Sequence, residues 1–525
     1  MRRTVAALLL LGLLAGCAGP GGFSAPVRRT LVVGVLSLPG SLNPLYATGR
    51  TATDLESLIF SPLYRVGKGL EPRPVLAASP PRISPGGRTY TVPLRTGVRW
   101  QDGQPLTAQD VVFTLQAMRA ARNASPLEAD FRYVRSVSAV GDSVRIRLTR
   151  PWAPFLLDAL TDVPILPAHL LGHLSGQALA DSPFGRHPVG TGPYRVVRWV
   201  GGTRLELAAN PRYFGRRPNI PRVVFRAEGS ARGEVAALRA GAVDLIAGLA
   251  PQELSAVHAV PGVRVRAFSR AAYAYLGFPL GTGSPFDPVA VRRAFYHAID
   301  RRAIVDGVLA GQGTVADSPV SPAQAPFYAP GRAPGYDPAR AAILLRAAGW
   351  RRGPGGIRYR KGKPFRFDLL VPGGGTTRLE AARLAARDLA AVGLAARVRQ
   401  IAWSAFLRDL QAGSIPGVWL AEWTLPPDPD PSLYLDSRAV SPYGMNVGRY
   451  ADPTVDRAIS AEEASLQLKT RQQAFRTLEQ AVLTDPPYVF LYYPRELVAY
   501  RGVTGVRGTP FLLDYYRLDR WRLVG

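Results

Sequence analysis

Residues 94–118, LRTGVRWQDGQPLTAQDVVFTLQAM, carry the densest set of structural signals in the chain. The turn residues Gln101-Asp102-Gly103 interrupt the first half of this stretch. Thr107 then offers the hydroxyl of a helix N-cap, and Asp110, three residues later, stands where the acidic partner of a capping box belongs. The apolar residues that follow share one helical face and are Val111, Val112, Leu115 and Met118. The stretch therefore predicts a turn followed by a capped helix that begins beside Thr107.

Strand and helix patterns alternate on both sides of this stretch. Upstream, Leu31 to Val35 predicts a buried strand, and Thr51 to Phe60 has helical spacing, with Thr51 or Thr53 as its N-cap. Downstream, the predicted features are a helix that ends at Gly241, the strand Val243–Ile246, helices over Val291–Ile299, Asp337–Gly349 and from Thr376 or Thr377 to Gly393, and the strand Ala395–Ile401. This alternation predicts an α/β lobe around a mixed sheet.

Length, composition and charge further limit the number of domains and the classes of partner. A chain of 525 residues is too long for one core, so two or three domains are expected, and 47% hydrophobic residues is an ordinary globular composition. The net charge of +27 is almost all arginine and could indicate nucleic acid, an anionic membrane surface or acidic ligands. Because the arginines are scattered along the chain, we favour a compositional habit over a dedicated polyanion site.

The N-terminus predicts export. Arg2 and Arg3 precede an apolar run, Val5 to Ala15, which is too short to span a bilayer and therefore predicts a signal peptide. The following Leu-Ala-Gly-Cys resembles the bacterial lipobox, which implies that Cys17 is lipidated and begins the mature chain. Cys17 is the only cysteine, so no internal disulfide or thiolate site is expected. The composition of residues 18–26 predicts a flexible tether. An extracytoplasmic location argues against nucleic acid as the partner of the basic residues.

The opening stretch resembles the signature of the large extracellular solute-binding proteins of bacterial peptide and nickel import systems, family 5 of the ABC-importer receptors. Further motifs follow in the order that the family has them, which makes the resemblance specific over nearly all of the mature chain. They are VGTGPYRVVRW (189–199), NPRYFGRRPNIPRVVFR (210–226), EVAALRAGAVDLI (234–246), PVAVRRAFYHAIDRRAIVDGVLAGQGTVADSPVSP (288–322), GYDPARAAILLRAAGW (335–350) and NVGRYADPTVDRAI (446–459).

The resemblance implies an α/β, two-lobed fold of the periplasmic-binding-protein kind, with mixed sheets, an extra subdomain and a hinge between the lobes. Lobe one is then expected at 27–270 and 488–525, with an inserted subdomain at about 60–188, and lobe two at 271–487. The two hinge crossings are expected near Phe268 to Ala271 and near Asp485 to Tyr488.

The acidic loop WLAEWTLPPDPDPSLYLD, residues 419–436, is the expected specificity loop. Peptide-binding relatives carry an aspartate three residues after the tryptophan, where it holds the ligand ammonium, but this chain has Pro426 there. Glu422 or Asp428 could substitute for that aspartate. The spacing W-x-x-P-x-D-P also resembles the nickel-chelate branch, which has a histidine where this chain has Asp430.

The resemblance also points to other cleft residues. Arg378, at a predicted helix start, could pair bidentately with a ligand carboxylate, favoured by the partial positive charge of the helix N-terminus. The loop from Ser37 to Asn43 is expected to face the cleft, and Tyr273 and Tyr275 would form an aromatic wall. The full set of candidate ligand-binding residues is Ser37, Asn43, Tyr273, Tyr275, Arg378, Glu422, Trp423, Asp428 and Asn446.

An enzyme is disfavoured by the motifs that are missing. The chain has no G-x-S-x-G and no cysteine after Cys17, so neither common nucleophile signature is present. His169 and His173 have helical metal-ligand spacing but lack the glutamate of HExxH. We therefore expect no catalytic residue, no metal and no cofactor.

Together these features predict an extracytoplasmic lipoprotein, anchored on the periplasmic side or outer face of the cell membrane. It would capture a peptide or similar small polar solute between its lobes, as a monomer, and deliver it to the permease and ATPase of an ABC importer. A metal chelate, an opine or an oligosaccharide is the alternative ligand within the family. An exported hydrolase and a structural envelope lipoprotein are the alternatives outside it.

Overall fold

The computed structural model describes residues 29–47, 49–67, 69–331, 333–373, 375–441, 444–511 and 515–524. The predicted signal peptide with Cys17 and the predicted tether at 18–26 lie outside these residues. The described chain is a mixed α/β structure in two lobes, as the sequence predicts.

The strands are β1 (Thr30–Val35), β2 (Tyr64–Val66), β3 (Pro72–Pro74), β4 (Arg82–Ile83), β5 (Thr89–Pro93), β6 (Val134–Val140), β7 (Ser143–Leu148), β8 (Tyr194–Val200), β9 (Arg204–Ala209), β10 (Arg222–Ala227), β11 (Leu245–Ala247), β12 (Arg264–Ser269), β13 (Ala272–Gly277), β14 (Gly313–Val315), β15 (Arg351–Arg352), β16 (Arg358–Arg360), β17 (Lys363–Pro364), β18 (Arg366–Pro372), β19 (Ala395–Ile401), β20 (Val418–Thr424), β21 (Tyr488–Tyr500), β22 (Val503–Thr504) and β23 (Arg522–Leu523). The helices are α1 (Arg50–Ile59), α2 (Ala108–Arg119), α3 (Phe155–Asp158), α4 (Ala168–Leu171), α5 (Gln177–Ala180), α6 (Ala231–Ala240), α7 (Leu254–His258), α8 (Val289–Ala298), α9 (Arg301–Ala303), α10 (Pro338–Ala347), α11 (Thr376–Ala391), α12 (Trp403–Gln411), α13 (Ser432–Leu435), α14 (Pro453–Ala464) and α15 (Leu468–Thr484).

One large mixed sheet runs through both lobes in the order β19-β18-β20-β13-β21-β11-β1-β10-β9-β8. Parallel pairs join β1 to β10 and β11, and β18 to β19 and β20, whereas the remaining neighbours on this path are antiparallel. A separate sheet has the strand order β4-β5-β7-β6. Strands β4 and β5 precede α2 in the chain, and β6 and β7 follow it. The carboxyl ends of the parallel strands in each lobe lead into loops, where binding groups commonly lie.

The long strand β21 belongs to both lobes. Its residues 488–492 lie between β13 and β14, and its residues 495–500 lie between β11 and β12. The change of partners therefore falls near Pro494, whereas the resemblance placed this return crossing at Asp485 to Tyr488. The outward crossing falls at Arg270 and Ala271, because β12 ends at Ser269 and β13 begins at Ala272.

Two hydrophobic cores define the lobes. The first unites buried residues from 31–245 with residues 498–521, and we call this body lobe one. The second contains buried residues from 271–493, and we call it lobe two. Residues 488–493 pack in the second core, so the first half of β21 is a strand of lobe two.

The opening stretch folds as its residues predict. Thr107 and Asp110 form a reciprocal capping box at the start of α2, with the Thr107 amide donating to Asp110 Oδ2 at 2.8 Å. Trp100 is buried in the first core, as are the apolar residues of α2. Two helix caps predicted elsewhere are also present, because Asp337 accepts from the Arg340 amide and Gly241 adopts a left-handed conformation at the end of α6.

The glycines of VGTGPY serve packing. A β-carbon at Gly190 would lie 1.9 Å from the Ile59 carbonyl oxygen, and one at Gly192 would lie 2.6 Å from it. The Gly192 amide donates to that carbonyl at 2.8 Å, which closes the C-terminal end of α1. Glycine is required here because the two backbones touch.

The predicted cap of α1 is wrong. Thr51 and Thr53 lie inside the helix, which begins at Arg50 after Gly49 and has no side-chain cap. The Thr53 hydroxyl instead donates to the Gly49 carbonyl at 3.3 Å. This shift places Arg50 at the helix start, facing the space between the lobes.

Candidate functional site

A cavity of about 300 Å³ lies where the chain crosses between the lobes, and we call it the crossing pocket. Lobe one contributes the start of α1, the outward crossing contributes Arg270, and lobe two contributes the end of β20. The lining residues are Gly49, Arg50, Thr53, Asp54, Arg270, Thr424, Pro510 and Phe511. A ligand in this pocket would touch both lobes.

The lobe-two wall carries an ion pair. Arg270 Nη2 lies 2.9 Å from Glu422 Oε1 and donates to Thr424 Oγ1 at 3.3 Å. Antiparallel pairing of β13 with β20 sets this geometry, because Ala272 stands opposite Thr424. Glu422 therefore lies beside the pocket, at the place where the sequence predicts a ligand-binding carboxylate.

Tyr492, on β21, lies behind this ion pair. Burial, followed by the negative charge of Glu422, raises the pKa of its hydroxyl, while Arg378 and Arg270 act in the opposite direction. The hydroxyl is buried and has no hydrogen-bond partner within the described part of the chain. Four groups, from two strands, one helix and the outward crossing, thus share one electrostatic environment.

Arg378 stands in the first turn of α11 and faces this environment. Its Nε is buried and lacks a hydrogen-bond partner among the residues that the structure describes. The guanidinium passes close over Gly375, because a β-carbon there would lie 3.3 Å from the guanidinium carbon. A helix N-terminus adds a favourable partial charge for an anion at this place.

The start of α11 also contacts lobe one. Thr377 Oγ1 donates to Gln252 Oε1 at 3.2 Å, and Gln252 Nε2 donates to the Val308 carbonyl at 3.3 Å. Gln252 follows β11 of lobe one, whereas Thr377 and Val308 belong to lobe two. The first turn of α11, which carries Arg378, therefore lies at the boundary between the lobes.

The lobe-one wall is charged as well. Arg50 contacts Glu496 of β21, and its Nε lies 3.6 Å from Asp54 Oδ2. The Glu496 side chain is almost completely buried. Arginines and carboxylates therefore face the pocket from both sides, which suits a polar ligand that carries both charges.

The acidic loop after β20 meets lobe one at a second place. The Asp428 carboxylate accepts from Arg471 Nη1 at 2.7 Å and from Nη2 at 2.6 Å, and Arg471 also bonds Glu462 at 2.6 Å. The Asp428 amide donates to Asp158 of α3 at 3.1 Å. Both oxygens of Asp428 are thus engaged inside the protein, although its predicted ligand contact remains a prediction.

Two arginines of lobe one extend this contact. Arg132 lies 3.3 Å from Glu463 and 3.5 Å from Asp430, and Arg150 lies 2.5 Å from Glu463. We call the whole cluster the carboxylate seam, and it consists of Asp130, Asp158, Asp428, Asp430, Glu462 and Glu463 with Arg132, Arg150 and Arg471.

The seam holds more carboxylates than guanidinium groups, and the pKa values respond to this. Burial raises the pKa of Asp130 to about 6, with Arg132 lowering it and Asp430 raising it. Burial and then the charge of Asp428 raise the pKa of Asp158 well above its usual range. Burial also raises the pKa of Glu462, because the nearby Arg471 offsets only part of the desolvation.

The predicted aromatic wall forms a packed layer in lobe two. Tyr273 and Tyr275 are buried, and the Tyr275 ring stacks on Trp423 with 5.9 Å between centroids. Trp423 in turn stacks on Tyr434 at 5.3 Å and is half-buried. The edge of this layer that remains open is Trp423, next to Glu422.

The other predicted site residues are distributed around the lobes. Ser37 is exposed after β1, and Asn43 is buried with its Nδ2 lacking a partner among the described residues. Asn446 is buried, and its amide donates to the carbonyls of Asp436 and Tyr450 at 3.0 and 2.8 Å. The Asn446 side chain therefore braces the loop that follows α13.

Sequence reasoning did not identify Arg50, Arg270, Gln252 or Tyr492. Arg270 lies within the predicted crossing at Phe268 to Ala271, so a search for charged residues at that crossing would have found it. Arg50 was hidden because the helix was predicted to begin one residue later. Tyr492 and Gln252 are recognisable only from strand pairing and from contacts between the lobes.

Two structural searches returned nothing among the described residues. No cluster of three or more histidine, cysteine, aspartate or glutamate side chains there is arranged to hold a metal ion. Likewise, within the described ranges no helix is both long and apolar enough to cross a membrane.

The comparisons with known proteins agree with one another. A family model described as bacterial extracellular solute-binding proteins, family 5 middle, matches residues 71–441. Protein XP55 of Streptomyces lividans is 34% identical, over 94% of this chain and 89% of its own length. The oligopeptide-binding protein AppA of Bacillus subtilis is 28% identical over the full length of both chains.

Solved structures give the same result. The structure of Bacillus subtilis AppA in complex with a nonapeptide superposes with a TM-score of 0.83 at 28% identity, covering 95% of this chain and 100% of that one. The structure of NikZ from Campylobacter jejuni in complex with Ni(L-His) gives 0.82 at 26% identity, covering 94% and 99%.

Proposed function

Because the chain belongs to family 5 of the bacterial extracellular solute-binding proteins, we propose that it captures a small peptide for an ABC importer, in the crossing pocket between its lobes. Solute-binding proteins of this family are not enzymes, and we assign no catalytic residue. The proposal rests on the charged groups Arg270, Arg378 and Glu422, which lie together at the crossing. Among them, Arg378 has a buried Nε without a hydrogen-bond partner in the described chain.

The ligand chemistry follows from the charges. A peptide carboxylate would pair with Arg378 at the start of α11, where the guanidinium and the helix N-terminus act together. The peptide ammonium would approach Glu422, which lies beside the pocket and pairs with the pocket residue Arg270. Asp428 is a weaker candidate for that role because Arg471 already engages both of its oxygens.

Closure of the lobes would follow from ligand contact with both of them. A ligand shifts an open and closed equilibrium only by its differential affinity for the two states. Groups at the pocket come from α1 in lobe one and from β20 in lobe two, so a bound peptide would gain contacts on closure. The hinge would lie at Arg270 to Ala271 and near Pro494, where the strands change partners.

A lipid anchor would hold the protein at the membrane. The lipobox-like sequence implies cleavage before Cys17 and acylation of that cysteine, followed by the tether at 18–26. The protein would act outside the cytoplasm as a monomer that hands its ligand to the permease and its ATPase. Mass spectrometry of membrane-purified protein should find a diacylglyceryl group on Cys17, and an N-terminus upstream of Cys17 would remove the anchor.

Thermal unfolding with a panel of peptides of defined length tests the ligand class. A ligand that binds only the folded state stabilises it by about 2.7 kcal/mol at 100 times its Kd, which is readily measured. We expect peptides with free termini to raise the Tm and the same peptides with amidated carboxyl ends to do so less. If no peptide in the panel raises the Tm, the peptide proposal fails.

A nickel chelate is the second candidate. The similarity to the Campylobacter protein in complex with Ni(L-His) and the W-x-x-P-x-D-P spacing favour it. Since the described residues contain no cluster suited to a metal, the chelate would have to supply the metal ligands itself. Titration with Ni(L-His) and with histidine alone separates the two proposals, because only a chelate binder would respond to the complex and ignore the peptides.

A further inference from the structure

The two edge strands of the large sheet, β8 and β19, differ in the way their arginines are used. On β19, Arg397 and Arg399 both pair with Asp368, at 3.1 and 2.6 Å. On β8, Arg195 has no carboxylate partner within the described residues, and Arg198 lies 4.0 Å from Glu206, which Arg204 already engages at 2.8 Å. The β8 edge therefore has guanidinium groups available for an anion outside the protein.

Apolar side chains stand between these arginines. A register shift between Val196 and Arg198 inserts Val197 into β8, and Val197 and Val200 are 45% and 41% exposed. Trp199 is half-buried on the opposite face of β8, where it packs against the first core, and the Arg186 guanidinium lies 4.7 Å from the centre of its ring. Such a bulge at a sheet edge disfavours pairing with a further strand.

The short distance between β8 and the start of the described chain favours the membrane as the partner of the β8 edge. Thr30 of β1 pairs with Arg222, which pairs with Ala208, which pairs with Arg195. Three steps between strands correspond to about 14 Å. Cys17 precedes Arg29 by twelve residues, which reach at most about 40 Å when extended. An anchor at Cys17 would therefore leave the β8 edge within reach of the bilayer.

We propose that the outward face of the β8 edge, formed by Arg195, Val197, Arg198 and Val200, docks on anionic phospholipid headgroups. The guanidinium groups pair with lipid phosphates, while the exposed valines suit the apolar boundary beneath the headgroups. This inference rests on the proposed lipid anchor for its geometry, but the chemistry of the edge can be tested separately from the anchor. Docking would fix one orientation of the pocket relative to the membrane.

Hydrogen exchange of the full-length protein tests the docking. We expect the amides of 194–200 to exchange more slowly with phosphatidylglycerol-rich vesicles than with pure phosphatidylcholine vesicles. High salt should abolish the difference, since it screens the arginines. The amides of β19 serve as the internal control and should exchange equally with both lipids.

Double substitutions on each edge strand test which arginines cause the protection of β8 from hydrogen exchange. One arginine near an anionic surface contributes roughly fivefold to a docking constant, so Arg195→Gln with Arg198→Gln should weaken docking by about 25-fold and return β8 to its exchange rate in phosphatidylcholine. The matched control, Arg397→Gln with Arg399→Gln, removes the same charge from the opposite edge and should leave the protection of β8 intact. Both pairs are exposed, so an unchanged Tm verifies folding.

The outcomes are distinguishable. Equal exchange of β8 with both lipids, or protection that survives the Arg195 and Arg198 substitutions, would overturn the docking. Protection that appears without lipid and grows with protein concentration would assign the edge to a second copy of the chain. Sedimentation with pure phosphatidylcholine vesicles reports the anchor alone, so its failure leaves the docking to be decided by exchange on phosphatidylglycerol.

Discussion

Two of the places where lobe one and lobe two meet use the same residue types in opposite ways. In the carboxylate seam, Arg471, Arg132 and Arg150 are each engaged by carboxylates of lobe two. Near the crossing pocket, Arg378 keeps a buried Nε without a partner among the described residues. A charged cluster thus holds the lobes together where its arginines pair with carboxylates. It can receive a ligand where an arginine nitrogen has no hydrogen-bond partner among the described residues.

Removing the central arginine of the seam should have the largest effect. Arg471→Met leaves Asp428 and Glu462 buried without their cation, which should cost about 3 kcal/mol of unfolding free energy. Urea denaturation measures this loss. The matched control is Arg383→Met, since Arg383 makes an exposed pair with Glu380 and its loss should leave the unfolding midpoint unchanged. An unaltered midpoint in Arg471→Met would mean that the seam does not stabilise the fold.

Substitution of Arg378 should weaken ligand binding and leave the stability of the fold almost unchanged. Arg378→Gln removes a charged partner of the ligand carboxylate, which should cost about 2 kcal/mol, roughly a 30-fold rise in Kd. The free energy of unfolding should hardly change, because the Nε has no protein partner in the described chain. Calorimetric titration with a responsive peptide provides the measurement, and Arg383→Gln on the same helix is the control. Loss of stability without loss of affinity would place Arg378 in the scaffold.

The seam should also make stability depend on pH. A carboxyl whose pKa is raised by folding binds its proton more tightly in the folded state, so stability falls as pH rises from its unfolded pKa to its folded pKa. For Asp130 this range is about pH 4 to about 6. Asp130→Asn should therefore flatten the decline by about 3 kcal/mol, as measured by urea denaturation across this range. The same decline in Asp130→Asn would assign it to other groups.

The smallest effect is expected from the aromatic layer. Trp423→Phe keeps a ring between Tyr275 and Tyr434, and it should change the Kd for a peptide by no more than about threefold. The same calorimetric titration gives the answer. A tenfold or larger loss of affinity would show that the indole itself touches the ligand and that the pocket extends over Trp423.

Local sequence signals predicted the fold where neighbouring residues decide the structure. The capping box at Thr107, the cap at Asp337 and the end of α6 at Gly241 each depend on contacts within a few residues. The strand over Ala395 to Ile401 was predicted with its observed bounds. The start of α1 was not, since no side chain caps it.

The site was harder to predict because its partners are distant in sequence. Asp428 looked available in the sequence, yet Arg471, 43 residues away, engages both of its oxygens. The partner change of β21 near Pro494 is set by four different strands. Arg378 and Glu422 could be identified from the family pattern, and Arg270 lies within the predicted crossing, whereas Arg50 became a candidate only once the lobes were assembled.

The structure of the protein with its co-purified or titrated ligand tests the proposed binding site most directly. We expect a ligand in the crossing pocket, with an anionic group within hydrogen-bond distance of Arg378 and contacts to α1 of lobe one. A ligand bound instead along the carboxylate seam, or one that touches a single lobe, would contradict this expectation.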